Sequence, residues 1–138
     1  MLLNRQDLLS HLPKGGIVAE VGVDEGVFTE QILTICKPAK LHLIDVWGSE
    51  RYHSGKASEV KRKFREQIRD GSVEINQGYS TEVLAEFEDG YFDWVYIDSA
   101  HTYSTTANEL KLARRKVKPR GMIAGHDYVI SNWNSNVR

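Results

Sequence analysis

The side chains of this 138-residue chain that can do chemistry collect in five short stretches: Glu20–Gly26, Asp45–Trp47, Gly78–Ser80, Asp98–His101 and His126–Tyr128. Four of the five carry a carboxylate. A lone aspartate in such a place is most often a turn or cap residue. Asp98 and Asp127, however, each follow an apolar run, Phe92–Ile97 and Met122–Gly125. If those runs lie side by side, the two carboxylates meet, and like charges at close range raise one another's pKa unless a cation joins them. Hard oxygen donors of this kind suit Mg2+, which takes one or two carboxylates plus water and substrate oxygens. His126 stands beside Asp127, and an imidazole there tilts the preference toward Mn2+ or another transition metal. His101 follows Asp98 by three residues and is a candidate proton acceptor. His42 and His53 show no partner pattern and read as structural or surface residues.

The elements that must position these groups follow from the alternation of apolar runs with amphipathic segments. Asn4–Leu12 reads as a short helix ended by Pro13-Lys14-Gly15-Gly16. Strands are predicted at Ile17–Val23, Lys40–Val46, Val73–Gln77, Phe92–Asp98 and Met122–Gly125. Helices are predicted at Val27–Cys36, Gly55–Asp70, Thr81–Phe87 and Ser104–Lys116, with Gly71 placed to end the second of these. Continuous apolar strands separated by helices imply a Rossmann-like, doubly wound α/β domain. Its sheet is mainly parallel, of about five strands, with helices on both faces. In such folds a ligand sits at the carboxyl ends of the strands. The five chemical stretches all fall at those ends.

The bulk properties narrow the class. Hydrophobic residues make up 41% and charged residues 27%, as in a globular domain with a core. A net charge of −1 gives no general attraction to nucleic acid or anionic lipid. The one cysteine, Cys36, lies in an apolar stretch and reads as a buried small hydrophobe, which with the absence of any disulfide fits a reducing compartment. The start of the chain lacks a continuous apolar run, and no segment is long enough to span a membrane, so a cytoplasmic location is expected. The basic helix 56–69 alternates with Glu59 and Glu66 and reads as a solvated face, with a nucleic-acid surface as its alternative.

The turn after the first strand reads Glu20-Val21-Gly22-Val23-Asp24-Glu25-Gly26. Gly22 and Gly26 permit a tight bend and close approach of backbone to a ligand. A dinucleotide site wants further glycines for its pyrophosphate. Here Asp24 and Glu25 would repel a phosphate. A ligand with a cationic centre and no phosphate suits the turn better, and S-adenosylmethionine, with a sulfonium, an ammonium and one carboxylate, is such a ligand. Asp45, about 20 residues on, can accept hydrogen bonds from ribose hydroxyls. Gly78 and Ser80 form a small-residue turn beside the expected base, and Trp47 either stacks on that base or packs in the core.

Glu20-x-Gly22-x-x-x-Gly26, Asp45 and Gly78-x-Ser80 together resemble the first motifs of class I S-adenosylmethionine-dependent methyltransferases. More narrowly, Asp98-x-x-His101-x-Tyr103 and Gly121-x-x-x-Gly125-His126-Asp127 resemble a subgroup similar to the metal-dependent sugar O-methyltransferases of antibiotic tailoring. Arg120 departs from the first glycine of that second motif. The resemblance covers residues 15–128. It implies that Glu20, Gly22, Gly26, Asp45, Trp47, Gly78, Ser80 and Asp98 bind the cofactor. It further implies that Asp98, His126 and Asp127 hold Mg2+ or Mn2+, and that His101, with Asp98, is catalytic, His101 as general base toward a sugar-like hydroxyl. The alternatives are a cofactor-binding module without activity and a nucleic-acid-associated protein.

Enzymes of that family usually continue beyond the fifth strand with an antiparallel hairpin. Val129–Arg138 looks polar and turn-like, with no room for two strands. The expectation is a single domain over 1–138, cut short on its C-terminal side. Its fifth strand would present a bare edge, which invites association with a second copy.

Overall fold

The structure, a computed structural model, describes residues 5–47, 54–98, 103–125 and 128–131. Its elements run α1 (Arg5–His11), β1 (Ile17–Val21), α2 (Val27–Ile35), β2 (Lys40–Asp45), α3 (Ser54–Lys63), α4 (Arg65–Asp70), β3 (Val73–Gln77), α5 (Ser80–Glu86), β4 (Phe92–Ile97), α6 (Tyr103–Lys116), β5 (Val117–Gly125) and β6 (Tyr128–Ser131). The sheet order is β3-β2-β1-β4-β5-β6. The first five strands are parallel, as expected, and β6 is antiparallel to β5. The chain reverses direction across the sheet between β1 and β4, which are adjacent, and this is where a doubly wound sheet opens a crevice.

Period-two alternation sends the strand residues to two cores. Val18, Leu41, Leu43, Trp94, Tyr96 and Ala124 face the layer of α1, α2 and the α3–α4 junction, with Leu9, Phe28, Ile32 and Phe64. Ala19, Val21, Ile44, Val95, Ile97 and Ile123 face the other layer, with Leu84 of α5 and Ala113 of α6. Burying a side chain such as Leu9 or Ile32 completely contributes about 1.5–3 kcal/mol. Cys36 is buried in the first core and its Sγ–H donates to the Leu9 carbonyl at 3.4 Å. His42 is buried in the middle of β2 among Phe87, Tyr91 and Phe92, its ring nitrogens 2.9 Å from Asn76 Oδ1 and Tyr91 Oη. Burial lowers its pKa, so it packs as a neutral ring.

Three elements differ from the sequence expectation by more than a residue or two at their ends. The helix expected over residues 55–70 breaks at Phe64, whose backbone (φ −110°, ψ 29°) leaves the helix while its ring turns into the core against Gly26. Gly71 ends α4 in the left-handed region, as expected. The second difference corrects the bare edge. Tyr128–Ser131 pairs antiparallel with Met122–Gly125, so β5 lies between β4 and β6. Tyr128, Val129 and Ile130 have high strand propensity; the polar run that follows them in sequence masked it. The premise for association through the β5 edge is therefore removed. β5 also begins earlier than expected, at Val117. Its Pro119-Arg120-Gly121 segment lies where the β4–β5 register shifts, between Phe92 and Trp94. A Cβ on Gly121 would lie 2.4 Å from the Asp93 carbonyl oxygen, so this glycine is required by packing of the two strands.

Candidate functional site

Backbone hydrogen bonds tie the carboxyl ends of the central strands together. Gly22 N–H donates to the Ile44 carbonyl at 2.8 Å, Gly78 N–H to that of Asp45 at 3.0 Å, and Asp98 N–H to that of Val21 at 2.8 Å. Gly22 (φ 93°) releases the chain from β1 into a turn that no β-carbon favours. Asp24 also takes a left-handed conformation (φ 58°), which aspartate tolerates. Gly26 (φ 87°) caps α2, and a Cβ there would lie 2.9 Å from the Phe64 ring. Gly26 therefore serves the packing of the α3–α4 junction on the turn.

Asp45 organises this turn from across the sheet. Its Oδ2 accepts the N–H groups of Val23 at 2.7 Å and Asp24 at 2.8 Å, and its Oδ1 accepts that of Trp47 at 3.0 Å. Trp47 is 3% exposed, adopts φ 45°, and donates its indole N–H to the Asp24 carbonyl at 2.9 Å. It lines neither of the cavities described next. Of its two readings, stacking on a base or packing in the core, this geometry is that of packing and of a pin on the turn.

Two cavities open at the strand ends, one on each face of the sheet, and Asp45 lines both. The first, about 440 Å³, lies on the α1–α2 side and includes Arg5, Glu20, Gly22, Phe28, Tyr96 and Asp98. The second, about 310 Å³, lies on the α5–α6 side and includes Val46, Gly78, Tyr79, Ser80, Thr105 and Glu109. Ser80 Oγ–H donates to the buried Glu109 carboxylate, which joins the start of α5 to α6 at the cavity wall. Tyr79 stands 63% exposed at its rim.

The first cavity is acidic. Asp24, Glu25, Asp45 and Asp98 line it together with Glu20. Glu20 is 1% exposed and accepts the Thr29 hydroxyl at 2.5 Å. Burial pushes its pKa up from 4.5 to about 8, against the lowering effects of the Thr29 bond and the Arg5 charge. Arg5, at the start of α1, places its guanidinium 5.1 Å above the Phe28 ring and donates to Asp98 Oδ2 at 2.7 Å. Phe28 in turn packs on Tyr96 with ring centroids 4.4 Å apart. Outside the cavity, Lys56 pairs with Asp24 at 2.7 Å and Lys63 donates to the Glu25 carbonyl at 3.2 Å, so α3 is fastened to the turn.

A family profile described as "Methyltransferase domain" matches residues 19–128, which holds the turn, Asp45, the lining of both cavities except Arg5, and the β4 and β5 ends. The chain belongs to this methyltransferase-domain family. None of the curated protein sequences matches it significantly. Among solved structures, it is similar to a geranyl diphosphate methyltransferase in complex with S-adenosylmethionine (TM-score 0.67, 16% identity, 87% of this chain and 45% of that one). It is also similar to the geranyl diphosphate C-methyltransferase of Streptomyces coelicolor A3(2), in complex with Mg2+, geranyl diphosphate and S-adenosylhomocysteine (TM-score 0.68, 14% identity, 88% and 44%). A third similar structure is the spermidine synthase of Thermotoga maritima (TM-score 0.59, 19% identity, 85% and 39%). The chain spans less than half the length of each of these three proteins. At such identities the likeness is one of fold.

Within this methyltransferase domain the predicted residues fall into three groups. Glu20, Gly22, Asp45 and Asp98 line the first cavity, and Gly78 and Ser80 the second. Gly26 and Trp47 stand behind the turn. His101, His126 and Asp127 lie outside the described residues. Among the described residues no group of three His, Cys, Asp or Glu side chains could hold a metal ion. No described helix is long and apolar enough to cross a membrane. In the basic helices, Arg62 pairs with Glu59 and Arg69 with Glu66, so part of their charge is spent locally. Arg5, Phe28 and Tyr96 had no sequence signal as site residues. Arg5 sits among the leucines of an ordinary amphipathic helix, and only the packing of α1 on α2 carries it to the strand ends.

Proposed function

We propose that this methyltransferase domain binds S-adenosylmethionine across the carboxyl ends of β1–β4 and directs its methyl group to a hydroxyl of a small, sugar-like acceptor. The observation that carries the reading is that Asp45 is common to two cavities, one on each face of the sheet. One is acidic and floored by aromatic rings, and fits the cationic amino-acid end. The other is flanked by a small-residue turn and the exposed Tyr79 ring, and fits the base. The ribose then falls to Asp45, whose carboxylate can accept from its hydroxyls. When bound, the cofactor supplies an electrophilic methyl carried by a positive sulfur. Asp45 and Asp98 give that charge a favourable field in a partly enclosed site.

The acceptor chemistry rests on the motif Asp98-x-x-His101 and on His126-Asp127. In this reading His101 takes the proton of the acceptor hydroxyl as the methyl moves, a role suited to an imidazole near neutral pKa. Asp98, His126 and Asp127 would hold Mg2+ or Mn2+, which lowers the pKa of a coordinated hydroxyl. β4 and β5 are hydrogen-bonded neighbours, so the strands that lead to Asp98 and to His126-Asp127 run side by side, about 4.8 Å apart. Calorimetric titration with S-adenosylhomocysteine, with and without Mg2+, tests the cofactor and metal parts on which the reading stands. One-to-one binding strengthened by the metal is expected. Binding indifferent to metal would leave the cofactor site and remove the metal. No binding in either condition would overturn the reading.

A further inference from the structure

We propose that Arg5 makes this site demand a carboxylate on its ligand, so that the chain selects an amino-acid-bearing nucleoside over its decarboxylated counterpart. The inference rests on the cofactor reading above and goes beyond it by assigning specificity to a residue of the N-terminal helix.

Charge in a confined space sets this preference. The first cavity is lined by the carboxylates of Asp24, Glu25, Asp45 and Asp98, and Arg5 is the one cation among its described lining residues. Without Arg5, such a lining attracts an ammonium or a sulfonium and repels a carboxylate. A ligand carrying only cationic groups at this end would then be favoured. Arg5 reverses that preference at one position. Its guanidinium is held from two sides, over the Phe28 ring at 5.1 Å and against Asp98 Oδ2 at 2.7 Å. Phe28 is itself fixed by Tyr96. A planar guanidinium held in this way is matched to a carboxylate, and an ammonium on a flexible stem is not.

The Arg5–Asp98 pair also supplies partners for both charges of an α-amino acid. Its two members lie in contact, as the ammonium and carboxylate of an amino acid do. A bound amino-acid end can therefore place its ammonium on Asp98 and its carboxylate on Arg5, exchanging one ion pair for two. A decarboxylated ligand can satisfy Asp98 but leaves Arg5 without a ligand partner, while its own positive charge is brought toward the guanidinium.

The test compares S-adenosylhomocysteine with its decarboxylated counterpart, which keeps the nucleoside, the thioether and the ammonium. Both are titrated calorimetrically into the wild-type chain, Arg5→Ala, Arg5→Gln and Arg5→Lys. The wild type is expected to prefer the carboxylate-bearing ligand by about 10- to 100-fold, the range of a charge-assisted contact. Arg5→Ala and Arg5→Gln should lose or reverse that preference by weakening S-adenosylhomocysteine, with the decarboxylated ligand bound as tightly as before or more tightly. Arg5→Lys should restore part of it. The Ala and Gln variants are read together so that a folding defect in one leaves the other. Equal wild-type affinity for the two ligands, or parallel weakening of both in the variants, would overturn the proposal and leave the cofactor reading standing. A wild-type chain that binds neither ligand would overturn both.

Discussion

The Asp45 carboxylate accepts the Val23 backbone N–H at 2.7 Å, which ties the acidic end of β2 to the turn after β1. The same oxygen accepts the Asp24 N–H at 2.8 Å. In the proposed reading, the residue that faces the ribose is thus also the residue that shapes the turn beneath the cofactor. Asp45→Ala should weaken S-adenosylhomocysteine binding by about 1.5–3 kcal/mol, typical of hydrogen bonds to a charged acceptor. It should also release the turn, seen as faster amide exchange at Val23 and Asp24. Unchanged affinity in a calorimetric titration would remove Asp45 from the site.

Glu20 gives the protein a pH-dependent stability of unusual sign for a carboxyl group. Burial raises its pKa from 4.5 to about 8, so the folded state keeps a proton that the unfolded chain releases. The stabilisation is complete below pH 4.5 and is lost as pH rises through 8. Glu20→Gln removes this linkage. In urea unfolding between pH 5 and 8, wild type should lose stability relative to Glu20→Gln by about 1 kcal/mol per pH unit. Parallel profiles would show that Glu20 ionises at its ordinary value in the folded protein.

Two glycines of the same region should respond in opposite ways to alanine. Gly26 has φ 87°, and a Cβ there would lie 2.9 Å from the Phe64 ring. Gly26→Ala should cost about 1–3 kcal/mol through backbone strain and displacement of the ring. Gly55, in α3, has open space where a Cβ would stand. Gly55→Ala should stabilise by about 0.5–1 kcal/mol through helix propensity. Urea midpoints check both, and a destabilised Gly55→Ala would mean that α3 is not helical there.

The metal reading makes its own prediction. Asp98→Asn and Asp127→Asn should each abolish any strengthening of S-adenosylhomocysteine binding by Mg2+, because removing one of two hard carboxylates weakens a site that needs both. Mg2+ coupling that survives both substitutions would place the ion elsewhere.

Much of this was legible in sequence because the strands are apolar on both faces and end abruptly in glycine and carboxylate. Glu20, Gly22, Asp45, Gly78, Ser80 and Asp98 could be assigned to strand ends from periodicity alone, and they line the two cavities. What periodicity cannot give is where an element lies relative to the site. Arg5 is an unremarkable residue of an amphipathic helix until α1 packs on α2. Trp47 carries the right chemistry for stacking, but its backbone turns to φ 45° and its ring goes inward. Gly26 matches a ligand-binding motif, yet the atom it makes room for belongs to Phe64. β6 was hidden because three strand-forming residues precede a run of serine and asparagine, and a pairing partner decides such a short segment.

The most direct test is a crystal structure of the chain with S-adenosylhomocysteine. The account predicts ribose hydroxyls within hydrogen-bond reach of Asp45. It also predicts the base between Val46 and the Gly78–Ser80 turn, and the amino-acid end in the acidic cavity beside Arg5 and Asp98. A ligand bound away from the β1 and β2 ends, or bound with its base in the Glu20 cavity, would contradict it.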